Sequence, residues 1–185
     1  MKKILMTVTL LSLTALNAFA SNEPKDILPL LRGAKMSLLD GIAYAEKLSG
    51  PATSAKFEVE DGKLNLSVYT VPGGLAQAPE AAALSEVSGN VLEAPFKASV
   101  EVFADKEHIA RAAVHMTLLQ QSPFSLSQII GKALARVPGG SPIDVRNPMI
   151  RNKRPVADVV IADDDGDEAY TVSVDLLNGS TQLKK

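Results

Sequence analysis

Between Lys56 and Val71 the chain alternates apolar and polar residues on either side of one Asp61-Gly62 pair. A period of two gives a strand one face to bury. Asp-Gly is a favoured pair for a two-residue hairpin turn, whose central positions need positive φ. Lys56–Glu60 and Leu64–Val71 therefore read as the arms of a β-hairpin. No other stretch constrains the fold as much, because this one commits the chain to an antiparallel sheet.

Three helical stretches accompany it. Ser37 precedes Leu38 with Asp40 three residues on, a capping-box variant, and Leu38, Ile42 and Ala45 recur at helical spacing up to Ser49-Gly50-Pro51. The preceding piece, Ile27–Met36, could add a turn of helix, but Pro29 and Gly33 weaken it. Asp105 caps a helix over Lys106–Gln120 whose apolar stripe includes Ile109, Ala112, Met116 and Leu119. Ser125, with Gln128 as its capping partner, opens another that turns Leu126, Ile129, Ile130 and Ala133 inward until Pro138-Gly139-Gly140.

The remaining alternating runs read as strands. They are Ala83–Val87 and Val91–Leu92 about a Ser88-Gly89-Asn90 turn, then Lys97–Phe103, then Ile143–Ile150 interrupted by Pro148. Val156–Ile161, Tyr170–Leu176 and Thr181–Leu183 complete the set, the last two joined by Asn178-Gly179.

Ser37-Leu38-Leu39-Asp40 and Ser125-Leu126-Ser127-Gln128 lie 88 positions apart, and the stretches Leu84–Val91 and Val174–Thr181 lie 90 apart. A near-constant offset implies an internal repeat. The expected fold class is α+β, with two tandem αβββ-type units, each a helix packed on a small antiparallel sheet, and with Ile42 and Ile130 in equivalent buried positions. The units span 21–104 and 123–185, joined by a connecting helix at 105–122 and preceded by a signal peptide at 1–20.

That signal rests on Lys2 and Lys3, an apolar stretch from Ile4 to about Leu16, and Ala18-Phe19-Ala20 as a cleavage site. The apolar stretch is too short to span a bilayer comfortably. Cleavage after Ala20 leaves about 165 residues without cysteine and without a membrane anchor, so the core rather than disulfides must hold the fold outside the cytoplasm. The mature chain carries 17 basic and 21 acidic residues, which argues against nucleic acid as a partner. The lack of Trp and the few other aromatics argue against a stacking platform for sugars or single strands.

The second unit resembles a PepSY domain, a module of metallopeptidase propeptides and of many exported bacterial proteins. The resemblance is carried by Leu126-Ser127-Gln128-Ile129-Ile130-Gly131-Lys132-Ala133-Leu134, by the Pro138-Gly139-Gly140 break, and by Tyr170-Thr171-Val172-Ser173-Val174-Asp175-Leu176-Leu177-Asn178-Gly179. It covers Ser125 to Leu183 well and Ser37 to Leu92 loosely, since Ser85 stands where the family usually has Asp. It implies a role in binding, inhibiting or chaperoning another exported protein, a peptidase among the possible partners, in the periplasm or secreted beyond it.

Catalytic, cofactor-binding and metal-ligating residues are expected to be none, and no cofactor is expected. There is no Cys, no G-x-S-x-G, no H-E-x-x-H and no S-x-x-K. His108 and His115 sit about 10 Å apart along one helix face, too far for one zinc ion. Asp163-Asp164-Asp165-Gly166-Asp167-Glu168 has the acidity of a calcium loop, but Ile161 and Val172 would occupy the two anchoring ligand positions. It reads as a solvated turn about Asp165-Gly166. Arg146, Arg151, Lys153 and Arg154 read as a charged edge strand that discourages aggregation, or as a surface for an acidic partner. The alternatives to a binding module are a divalent-cation-binding periplasmic protein and an enzyme whose site the sequence conceals. Partner identity and oligomeric state are not legible.

Overall fold

The structure is a computed structural model that describes residues 24–74 and 83–184. The expected signal segment and its cleavage site lie outside those residues. Along the chain come α1 (Pro24–Leu31), α2 (Leu38–Ser49), β1 (Ala52–Glu60), β2 (Lys63–Thr70), β3 (Leu84–Asn90) and β4 (Ser99–Phe103). Then follow α3 (Lys106–Gln120), α4 (Leu126–Leu134), β5 (Ser141–Val145), β6 (Met149–Arg151), β7 (Arg154–Ala162), β8 (Ala169–Asp175) and β9 (Thr181–Lys184). The class is α+β, with every strand pair antiparallel.

The helix starts follow their capping residues. Ser37 Oγ accepts from the Asp40 amide at 3.1 Å, and Ser125 and Gln128 form a full capping box. Gly50 ends α2 at φ 109, where a Cβ would press on the Val71 carbonyl. α1 differs from expectation: it starts at Pro24 and carries Pro29 inside it, while Gly33 falls beyond its end. Ile27 and Leu28 bury against the core and hold it in place.

Two separate small sheets do not form. Ala55 pairs with Val145 and Lys56 with Asp144, joining β1 to β5 in one sheet of order β4-β3-β2-β1-β5-β7-β8-β9, with β6 also on β7. Leaving those two central strands as edges would expose their backbone donors and acceptors, and pairing them satisfies both. The expected Ser88-Gly89-Asn90 turn is not a turn, because β3 runs straight through it. Gly89 serves close approach instead: a Cβ there would meet the Lys97 carbonyl at 2.5 Å. The stretches Leu84–Val91 and Val174–Thr181 are consequently not equivalent, since the second spans the end of β8, a turn and the start of β9.

One sheet face is apolar. Phe57 pairs with Leu66, Val145 with Val159 and Val159 with Val172, and α2 and α4 pack on that side. Leu38, Ile42, Leu126 and Ile130 are all essentially buried there. α3 adds Ala112 and Met116 to a second, smaller cluster with Val71, Leu84, Tyr69 and Phe103. Among the described residues no helix is long and apolar enough to cross a membrane.

Candidate functional site

Strand alternation sends the residues between the core positions to the other sheet face. These are mostly polar, and they gather in two clusters, one on each side of the β1–β5 seam.

The first cluster lies on β1, β2, β3 and β4. Ser67, almost fully buried, donates to Glu58 at 2.7 Å and approaches Glu86. A hydroxyl has one hydrogen, so it can serve only one of the two carboxylates at a time. Lys56 pairs with Glu58 at 2.7 Å. Tyr69 faces Glu86 across the strand, and burial together with the charges of Glu86 and Glu58 pushes its hydroxyl pKa well above the usual tyrosine value. Glu86 also stands directly opposite Glu101 of β4. Like charges in that register destabilise a sheet.

The second cluster lies on β6, β7, β8 and β9. Asp158 has a carboxylate that is only 3% exposed, and Arg151 holds both its oxygens, at 3.0 and 2.9 Å. Lys184 and Ser173 also bond to it, and Arg151 reaches Ser173 at 2.7 Å. Burial pushes the Asp158 pKa up, but the bonds from Arg151, Lys184 and Ser173 outweigh it and hold the carboxyl far below the usual range. Arg154 pairs with Asp175 and lowers its pKa, while Asp175 also accepts from the amides of Leu177 and Asn178 at 2.9 and 3.3 Å. Near the seam, burial raises the Asp144 pKa against the opposing pull of Arg146, 3.1 Å away.

Part of the basic run lies on β6, which is off the main strand order and, among the described residues, pairs with β7 alone, and Arg146, Arg151 and Arg154 each serve an aspartate of the same face. In sequence, Asp158 looks like one solvent-facing position in an apolar strand. Only the cations arriving from β6 and β9 make its burial tolerable.

The acidic segment Asp163–Glu168 is the β7–β8 turn, closed by the Asp163 amide on the Glu168 carbonyl at 3.0 Å. Gly166 takes φ 71, as the Asp-Gly reading requires. The Asp163 carboxylate accepts from the Asp167 and Glu168 amides at 2.9 and 3.3 Å, and Arg32, just past α1, donates to the Asp165 carbonyl. Among the described residues no group of three His, Asp or Glu is arranged to hold a metal ion. The two histidines have unlike surroundings. His108 stacks on Phe103 with centroids 4.5 Å apart and meets Asp105 at 2.6 Å, whereas burial and then Arg111 lower the His115 pKa.

No protein-family model and no curated protein matches the chain. Among solved structures, a crystal structure titled a "putative lipoprotein" from Clostridium difficile 630 is similar at 15% identity and a TM-score of 0.41, covering 82% of this chain and 93% of that one. That likeness is too distant to carry any property across.

Proposed function

We propose that this is an exported, non-catalytic binding protein of PepSY type that recognises another periplasmic protein through a sheet edge or sheet face. It is built from two copies of one helix-plus-strands unit, 21–104 and 123–185, with the helix at 105–122 between them.

The duplication rests on register. An offset of 89 turns the central pair Ala55↔Val145 into Asp144↔Lys56, which is the other central pair. The β1–β2 turn, Asp61-Gly62, and the β6–β7 turn, Asn152-Lys153, all have positive φ and lie 91 apart. The Val91 amide bonds to the Leu64 carbonyl as the Leu176 amide bonds to that of Pro155, each at 2.9 Å. Ile42 and Ile130, 88 apart, are both fully buried. Two such units side by side leave β4 and β9 as the outer strands.

The observation that carries the binding reading is this pair of outer strands beside a polar face whose ion pairs brace the sheet. A strand edge offers a row of main-chain donors and acceptors to an incoming chain. The resemblance favours a peptidase as the partner. The test cross-links purified mature protein in periplasmic extract and maps the cross-links, alongside a broad hydrolase screen and titration against thermolysin-like peptidases. The expected result is a stoichiometric complex cross-linked at β4, β9 or the polar face. Reproducible substrate turnover by the protein itself would overturn the reading.

A further inference from the structure

We infer that β4 is the docking edge, and that its occupant is an extended segment of another protein alternating apolar, basic and apolar residues. The inference deepens the binding reading above and rests on it.

Among the described residues β4 pairs with β3 alone, so its outer side faces no strand. Its side chains alternate. Val100 and Val102 point to the sheet face on which α2 and α4 pack, opposite the face of Glu101, yet are 47% and 60% exposed. Both are β-branched and apolar, and each lacks the outer neighbour that would bury it. Glu101 lies on the polar side, exposed, with Glu86 directly across from it on β3. Neither Glu86 nor Glu101 has a cationic partner among the described residues. The next carboxylate inward, Glu58, is linked to Glu86 through Ser67 and already has Lys56.

Adding one strand to this edge would satisfy three deficits together. The incoming backbone would take the outward main-chain groups of residues 99–103. Its apolar side chains would cover Val100 and Val102. Its intervening residue would stand beside Glu101, where a Lys or Arg offsets two facing carboxylates and an acidic residue adds a third. A second copy of this chain is a poor occupant, since antiparallel self-pairing centred on Glu101 opposes that residue to its own copy. The outer strand β9 lacks the same arrangement, because its Lys184 is already committed to Asp158.

The test is hydrogen–deuterium exchange on the mature protein with a soluble nine-residue peptide alternating Val or Thr with Lys, its Glu-for-Lys twin, and a scrambled control. The expected result is saturable protection of the amides of residues 99–103 by the Lys peptide, weakened by salt and at least tenfold stronger than with the Glu peptide. Glu101→Lys, checked for an unchanged melting temperature, should reverse that preference, while Glu101→Gln should reduce it. Equal protection of β4 by both peptides would overturn the charge assignment while leaving edge recognition standing. Protection confined to β9 or the polar face would overturn the choice of β4 but leave the binding reading intact. A dimer that protects β4 without peptide would replace the inferred partner with a second copy. No protection anywhere would sink the inference, and the cross-linking experiment would then judge the binding reading separately.

Discussion

The two sides of the β1–β5 seam arrange the charges of one polar sheet face to opposite electrostatic ends. Ser67 of β2 and Asp158 of β7 lie 91 apart, the same offset as the two turns, and both are buried on the polar face. Around Ser67 stand Glu58 and Glu86, with Glu101 beyond. Around Asp158 stand Arg151 and Lys184. The second side closes its charges internally. The first leaves two carboxylates facing each other at an outer strand. One pattern braces a sheet, and the other leaves a demand that a binding partner can meet.

The largest test of the comparison lies in the core. Ile42→Ala and Ile130→Ala should each cost about 2–5 kcal/mol, because both side chains are fully buried. Urea unfolding measures this. If one costs under about 1 kcal/mol, that site repacks freely and the two helices are not equivalent.

Removing Arg151 should be nearly as harmful. Arg151→Ala leaves the Asp158 carboxylate with Lys184 and Ser173 only, and should cost roughly 2–3 kcal/mol. The same cluster sets an acid limit. Because the folded pKa of Asp158 lies below its unfolded value, its contribution is present above about pH 4 and fades as pH falls further toward the folded pKa. Stability should therefore drop in acid, and Asp158→Asn should flatten that limb. Tyr69 works in the opposite direction. Its raised pKa makes its contribution complete below about pH 10 and lost as pH rises beyond. Tyr69→Phe should flatten the alkaline limb alone. Melting temperatures across pH for the two variants separate the effects, and a single limb affected by both would break the comparison.

Turns give a smaller contrast. Gly166→Val should cost about 1–3 kcal/mol, since the φ of 71 strains a β-branched residue even though no atom lies closer than 3.9 Å to the added Cβ. Lys153 holds φ 65 where the matching turn has Gly62, so Lys153→Gly should stabilise by roughly 0.5–1 kcal/mol. Thermal unfolding decides both.

The smallest effects belong to exposed carboxylates. Asp163→Asn with Asp164→Asn should change stability by no more than a few tenths of a kcal/mol, because an Asn oxygen can still accept the Asp167 and Glu168 amides. A saturable calcium-dependent rise in melting temperature that wild type shows and this variant loses would instead identify the turn as a cation site.

Local chemistry made much of the fold legible. Caps at Ser37, Asp105 and Ser125 and the Asp61-Gly62 turn were readable because each is settled by a few consecutive residues. Gly89 misled because a glycine that ends a strand and one that admits a neighbouring chain look alike in sequence. Only the arrival of Phe96 and Lys97 distinguishes them. Pro29 misled because burial of Ile27 and Leu28 against the sheet holds a short helix that propensity alone would not predict.

Sequence by itself determined the three capped helices, the Asp61-Gly62 hairpin and most of the strands, because periodicity and capping act within a few residues, but not α1 or the passage of β3 through Gly89. Tertiary structure alone decided that β1 meets β5, that Asp158 is buried among cations, and that Glu86 meets Glu101 at an outer strand. Those outcomes depend on which distant segments become neighbours. Backbone hydrogen bonding across the seam and packing beneath two helices select the neighbours, and no local pattern encodes that selection.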